Sequence, residues 1–343
     1  MNQIRSSPRI ACYLCGQEAQ PIYRELGDRL FGSAGLWTLV RCPDVACGLI
    51  WLDPMPLQED ISKAYTHYYT HDDEVRNHAQ LSLRFFTMAK RGYLSFTYGY
   101  FKNEVGIAGK LAGALFYLHP GRRAVVDFNV MWLPPIPRGR LLDVGCGAGS
   151  FLGYMQQIGW EVEGVDFDPV AARNASLKGV QVRVGSLESQ LYPDASFDAV
   201  TMSHFIEHVH DPRELVAECR RILKPGGQLV IVTPNSESFG HGLYGKYWMH
   251  LDPPRHLHLF NARNLSRMVV GAGFHQARTF TSIRDAYGMF IGSQSIKRTG
   301  GYDMSGAPAL KVRWWARVME FLEWVVTQVN RNAGEEVVVI AKK

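Results

Sequence analysis

The chain has 343 residues, 46% hydrophobic and 20% charged, with 37 basic against 32 acidic side chains and a net charge of +5. That length favours one large domain with an appended smaller module, and the scattered, mild charge does not call for a nucleic-acid partner. No window offers the ~20 apolar residues of a membrane-spanning helix. The opening MNQIRSSPRIACYLCG lacks the apolar run of about 7–15 residues of a secretory leader. A reducing, cytoplasmic setting is therefore expected, with thiols and metal sites rather than disulfides.

Four of the six cysteines fall in the first fifty residues, as Cys12-Tyr-Leu-Cys15-Gly and Cys42-Pro-Asp-Val-Ala-Cys47-Gly. A tight turn between two thiolates lets both reach one tetrahedral zinc, and the trailing glycine tolerates the backbone such a turn needs. Cys12, Cys15, Cys42 and Cys47 are thus candidate ligands of a structural Zn2+, and residues 1–54 read as a zinc-ribbon module. Buried thiols without metal are the plainer alternative.

Residues 55–137 change character. The aromatic, polar AYTHYYTHDD is followed by LSLRFFTMAKRGYLSFTYGYF and VGIAGKLAGALFYL, whose apolar positions recur at helical spacing. Two or three helices are expected, as a linker or lid. Their basic and aromatic faces also allow peripheral contact of residues 81–118 with a membrane surface. The prolines of WLPPIPRG end the region.

From Arg140 short apolar strands alternate with helices. RLLDV, WEVEGVD, VQVRVG, FDAVTMS, QLVIVTP and HQARTFTS read as strands, and SFLGYMQQIG, PVAARNASLKG and DPRELVAECRRILKPG as helices. The expected fold is α/β, a doubly wound, mostly parallel Rossmann-like sheet over 138–343 with a helical insertion at about 284–330.

The first strand runs into Gly145-Cys146-Gly147-Ala148-Gly149, at the carboxyl edge where open α/β sheets bind ligands. The spacing G-x-G-x-G departs from the dinucleotide fingerprint G-x-G-x-x-G and argues against a nicotinamide. Asp143, two residues earlier, can receive an ammonium group. Asp166, ending the second strand, can accept from both hydroxyls of a ribose, with Phe167 beside it to pack on a base. Together they describe an adenosyl amino acid.

At this point DVGCGAGSF, GVDFDP, FDAVTMSHFIEHV, ILKPGG and VIVTPN, in this order, resemble the class I S-adenosylmethionine-dependent methyltransferases over roughly 140 to 280. With the ribbon in front, the whole resembles the sugar and natural-product branch. The resemblance implies that Asp143 and the backbone of Gly145, Cys146 and Gly147 hold the methionine portion of S-adenosylmethionine, and Asp166 its ribose. Where the family often places an acid for the adenine, this chain has Gly185-Ser186-Leu187-Glu188, leaving the Ser186 hydroxyl or the Leu187 backbone for that role. His204 would stand near the sulfonium. The acceptor is expected to be a small or carrier-linked molecule such as a sugar or secondary-metabolite precursor. Oxygen is preferred as acceptor atom, with carbon as an alternative because similar enzymes methylate nucleotide-linked sugars at carbon. An RNA methyltransferase using the ribbon as its grip, and a non-catalytic cofactor-binding scaffold, are the rival readings.

A hydroxyl acceptor needs a base, and histidine is suited to it. His208 in SHFIEHVHDP is the first candidate, with a histidine that only packs on the sheet as its alternative. The segment DPPRHLHLF, Asp252 to Phe260, adds His256 and His258. If extended, it would point both imidazoles to one side. Base catalysis, acceptor binding, hydrogen-bonded anchoring and, less simply, metal ligation are all open to them. A similar loop in zinc-ribbon methyltransferases implies a pocket wall beside the methyl donor.

Overall fold

The computed structural model describes residues 3–65, 80–303 and 306–343. Most of AYTHYYTHDD therefore lies outside the described residues. Short strands open the chain: β1 (Ser6–Ser7), β2 (Gln20–Leu26), β3 (Trp37–Arg41), β4 (Ile50–Leu52) and β5 (Met55–Pro56). Three helices follow, α1 (Gln80–Thr97), α2 (Ile107–Ala114) and α3 (Pro120–Phe128). Then β6 (Arg140–Val144), α4 (Ser150–Gln157), β7 (Glu161–Asp166), α5 (Pro169–Leu177), β8 (Val182–Val184), β9 (Phe197–Ser203), α6 (Pro212–Ile222) and β10 (Leu223–Pro234) alternate as expected. The remainder is α7 (Phe239–Tyr244), β11 (His258–Leu259), α8 (Ala262–Gly271), β12 (His275–Ser282), α9 (Ala286–Thr299), α10 (Leu310–Val329) and β13 (Glu336–Lys342).

The main sheet has seven strands in the order β12-β13-β10-β9-β6-β7-β8, the Rossmann-like α/β sheet expected from the sequence. β6 pairs in parallel with β7 and β9, and β7 with β8. Central strands buried on both faces need continuous apolar side chains, and Leu141, Leu142 and Val144 of β6 are fully buried. One boundary differs from the sequence pattern. ILKPGG reads as a helix end, yet α6 stops at Ile222 and β10 begins at Leu223. Pro225 pushes Lys224 away from helical geometry, which moves the transition forward.

The chain divides into two compact units. One comprises Thr70–Met202, Glu218–Val230 and Lys342–Lys343; the other comprises Met1–Tyr69, Ser203–Ala217 and Ile231–Ala341. In the first, α1 and α2 approach so closely that a Cβ at Gly92 would stand 1.8 Å from the Gly109 carbonyl oxygen. Only glycine permits that contact. The Tyr93 and Tyr98 hydroxyls both donate to Asp127 Oδ1 at 2.7 Å, tying α1 to α3. Phe85 on α1 and Ile107 and Leu111 on α2 remain exposed. Among the described residues no helix is long and apolar enough to cross a membrane.

In the second unit β2, β3, β4 and β11 form a four-stranded antiparallel sheet in the order β11-β4-β3-β2. His258 and Leu259 stand opposite Trp51 and Ile50. Part of DPPRHLHLF is thus an added strand on the sheet of the N-terminal module. Its first half is a turn instead, in which the Arg255 and His256 N–H groups both donate to the Asp252 carbonyl. Extended geometry covers only His258–Leu259.

Candidate functional site

The sequence-predicted residues fall into two groups, one in each unit. In the first unit the loop after β6 places Gly145, Gly147 and Gly149 at φ 74°, 52° and 71°, a region other residues enter only with strain. A Cβ at Gly147 would meet nothing within 4 Å, so open space lies over that backbone. Cys146 turns the other way. Its thiol packs against β7 so tightly that a Cβ at Gly164 would stand 2.4 Å from Sγ, leaving its backbone rather than its sulfur for a ligand.

Two carboxyls flank this loop. Asp143 is buried, and its Oδ1 accepts from the Thr201 hydroxyl at 2.7 Å. Burial, with the Asp166 charge adding to it against the Thr201 hydrogen bond, pushes its carboxyl up to about 7. Asp166 Oδ2 accepts from Gly147 N–H at 2.7 Å and Oδ1 from Asp168 N–H at 2.9 Å. Burial raises its carboxyl too, partly offset by those hydrogen bonds. Buried Asp143 and half-buried Asp166, held without a cation among the described residues, fit a ligand that brings an ammonium group to Asp143, and each Asp166 oxygen keeps a lone pair for a hydroxyl. Phe167 is 59% exposed beside them. Leu187 is buried, while the Ser186 carbonyl accepts from the Ser189 hydroxyl and the Gln190 amide.

In the second unit the four early cysteines converge. Cys12 and Cys47 sulfurs are 3.7 Å apart, Cys15 and Cys42 3.3 Å, and all four lie within 4.8 Å of one another. Tetrahedral Zn–S bonds of about 2.3 Å put sulfurs roughly 3.8 Å apart. Gly16 and Gly48 follow the pairs at φ 78° and 59°, the turn geometry such knuckles require. The set fits one zinc.

The histidines share this unit. His204, at φ 49°, has Nε2 2.8 Å from Glu336 Oε1 and 2.9 Å from Arg284 Nη2. His208 follows on a single tight turn with Glu207, its Nδ1 2.9 Å from the Tyr65 hydroxyl and 3.0 Å from the Arg255 carbonyl. His256 Nδ1 donates to the His250 carbonyl at 2.7 Å and His258 Nδ1 to the Val209 carbonyl at 3.1 Å. The two rings of the loop therefore serve different backbone partners. It is His208 and His256 that meet edge to face, with centroids 4.7 Å apart. Burial holds His208 down at about 4, aided by the His256 ring, and His258 at about 3. It also lowers His256 well below its ordinary value. All three are neutral at pH 7.

Arg255 explains the loop. It is fully buried, its guanidinium donating to both Asp28 oxygens at 2.7 and 2.8 Å and to Asp252 through Nε at 3.0 Å and through Nη2. Asp28 and Tyr65 carry no sequence motif of their own, whereas Glu207 stands inside SHFIEHVHDP. Only Glu207, adjacent to His208, had a signal that proximity along the chain could have raised.

The family described as Methyltransferase domain matches residues 120–277. A probable S-adenosylmethionine-dependent methyltransferase of Mycolicibacterium smegmatis is 33% identical over 155 residues, 45% of this chain and 56% of that protein. A ubiquinone biosynthesis O-methyltransferase of Xanthomonas oryzae is 41% identical over 103 residues, 28% of this chain and 43% of that protein. The chain thus spans about half the length of these curated relatives. A SAM dependent methyltransferase structure from Archaeoglobus fulgidus covers 65% of this chain and 92% of its own at 24% identity, with a TM-score of 0.44. Residues 120–277, with the glycine loop between Asp143 and Asp166, thus match a methyltransferase domain and are similar to S-adenosylmethionine-dependent methyltransferases.

Proposed function

We propose that the chain transfers a methyl group from S-adenosylmethionine to a small or carrier-linked acceptor, with oxygen as the preferred acceptor atom. The observation that carries this reading is the pair of carboxyls, buried Asp143 and half-buried Asp166, flanking a loop of three positive-φ glycines. The relative named as an O-methyltransferase supports oxygen. Bound S-adenosylmethionine supplies an electrophilic methyl carbon on a sulfonium.

In this reading Asp143 takes the ammonium of the cofactor, and the backbone of Gly145, Cys146 and Gly147 lies against its methionine portion. Asp166 accepts from the ribose hydroxyls, Phe167 covers the base, and Ser186 and Leu187 hold the adenine edge. His204 is assigned to the neighbourhood of the sulfonium, and His208, His256 and His258 to the acceptor. With the cofactor bound, an acceptor hydroxyl would pass its proton to a neutral imidazole, for which His208 is the first candidate, as it takes the methyl group and S-adenosylhomocysteine leaves. Most of the rate then comes from alignment of the reacting atoms. Cys12, Cys15, Cys42 and Cys47 hold a structural zinc, within a layout of ribbon over 1–54, helical region over 55–137 and methyltransferase domain over 138–343.

Incubation with methyl-labelled cofactor and fractionated small-molecule pools tests the reading. Label should move to one small or carrier-linked product, and its identification names both acceptor and atom. Tight cofactor binding with no transfer to any pool would exclude catalysis, and label recovered in RNA would redirect the proposal.

A further inference from the structure

Among the described residues one group besides the four cysteines brings three metal-ligating side chains together. One ligand atom from each of Glu207, His208 and His256 lies within 4.8 Å of the others. Glu207 is completely buried. Its Oε2 accepts from the Thr233 hydroxyl at 2.8 Å, but Oε1 makes no hydrogen bond, His204 Nδ1 standing 3.5 Å away. A buried carboxylate oxygen left this way calls for a partner.

Both imidazoles are oriented to supply the rest. The His250 carbonyl can only accept, so His256 carries its hydrogen on Nδ1 and its lone pair on Nε2; His208 Nδ1 faces the Arg255 carbonyl at 3.0 Å as well as the Tyr65 hydroxyl at 2.9 Å, and donation to that carbonyl leaves its lone pair on Nε2. Donation from one ring nitrogen to a backbone carbonyl is how metal-binding histidines fix tautomer and orientation. The supports are themselves buried: Arg255, whose carbonyl holds His208, is clamped by Asp28 and Asp252. Asp252 lies 3.9 Å from His256 Nε2, yet its carboxylate is already bound by Arg255, so Glu207 is the carboxylate available.

We infer that Glu207, His208 and His256 form a second metal site, taking one divalent first-row ion through one carboxylate oxygen and two imidazole Nε2 atoms. Two nitrogen ligands and one oxygen suit Mn2+, Fe2+, Co2+ or Zn2+ and leave coordination positions for water or a ligand oxygen, unlike the all-sulfur cysteine cluster. The inference is a binding claim that goes beyond the methyl-transfer reading and is read without assaying it.

The full chain, with zinc retained in its cysteine cluster, is titrated with Mn2+ while the free ion is followed by electron paramagnetic resonance. One Mn2+ per chain should bind. His256→Ala and Glu207→Gln should each weaken it at least ~10-fold, since even residues outside a ligand set act on that scale. His258→Ala should bind like the parent. No uptake at millimolar Mn2+, or unchanged uptake by folded His256→Ala, would overturn the inference. Co2+ added to the unaltered protein decides independently of any variant's folding. A weak d–d band without added sulfur-to-metal charge transfer supports the site, and its absence counts against it.

Discussion

The glycine loop after β6 and the segment Asp252–Phe260 both gather polar side chains against buried backbone, but they handle charge in opposite ways. Around the loop, buried Asp143 and half-buried Asp166 have hydrogen bonds and, among the described residues, no cation, and burial pushes Asp143 up to about 7. Around the segment, Arg255 meets two aspartates and the histidine Nδ1 atoms meet carbonyls. A carboxyl with hydrogen bonds but no counter-ion is ready for a ligand and, where buried, weakens the fold. A saturated ion network is rigid and strengthens it. Polar residues of the same kind therefore await a ligand around the loop, whereas Asp28, Asp252 and Arg255 anchor the segment and leave the Nε2 atoms of its histidines for binding.

The largest effect expected from breaking this contrast is that of Arg255→Ala. It strands Asp28 and Asp252 as buried, uncompensated charges, which costs about 3–5 kcal/mol. Urea unfolding measures it, and a loss near zero would mean the segment is anchored otherwise. Asp143→Asn should act with the opposite sign. The folded carboxyl keeps its proton up to about 7, whereas an unfolded aspartate releases it near 3.8. Between those values the folded state binds more protons, so its stability falls as pH rises, by about 1.4 kcal/mol per pH unit across that interval. The variant should gain thermal stability over the parent from pH 5 to 8 while losing S-adenosylmethionine affinity in calorimetry. A melting difference independent of pH would leave the buried-charge account without support.

His258→Ala should cost about 1–3 kcal/mol by leaving the Val209 carbonyl without its donor. Its acid limb sharpens the comparison. Burial holds His258 at about 3 and His208 at about 4, so the unfolded chain takes up protons below about 6.5 that the folded chain refuses. Stability is full above that pH and lost as pH falls, and the variant should lose less of it on acidification. The smallest effect is that of Phe167→Ala. The ring is 59% exposed, so unfolding should shift by no more than about 0.5 kcal/mol, while cofactor affinity falls. Unchanged affinity would remove the ring from the adenosyl contacts.

How far the sequence was legible follows from chain separation. Asp143, Gly145, Gly147 and Asp166 lie within one strand-loop-helix-strand unit, whose period and glycines can be read in order. The cysteine knuckles are two local turns and were equally readable. The histidines were found as residues, but their partners were not. Extended geometry for RHLHLF would have paired His256 with His258, whereas the turn at Asp252 directs His256 toward His208. Arg255 reaches Asp28 across 227 positions, and no periodicity reports such a pairing.

By itself, then, the sequence determined what depends on neighbours along the chain: strand and helix alternation, the glycine loop, its two acids and the thiol pairs. Those features rest on backbone propensity and on turn geometry spanning a few residues. The tertiary structure alone decided that β11 adds to the sheet holding β4, that Arg255 is neutralised by Asp28, and that Glu207, His208 and His256 converge. Burial energetics chose these partners, because a charge or imidazole removed from water must find its counterpart wherever folding delivers one.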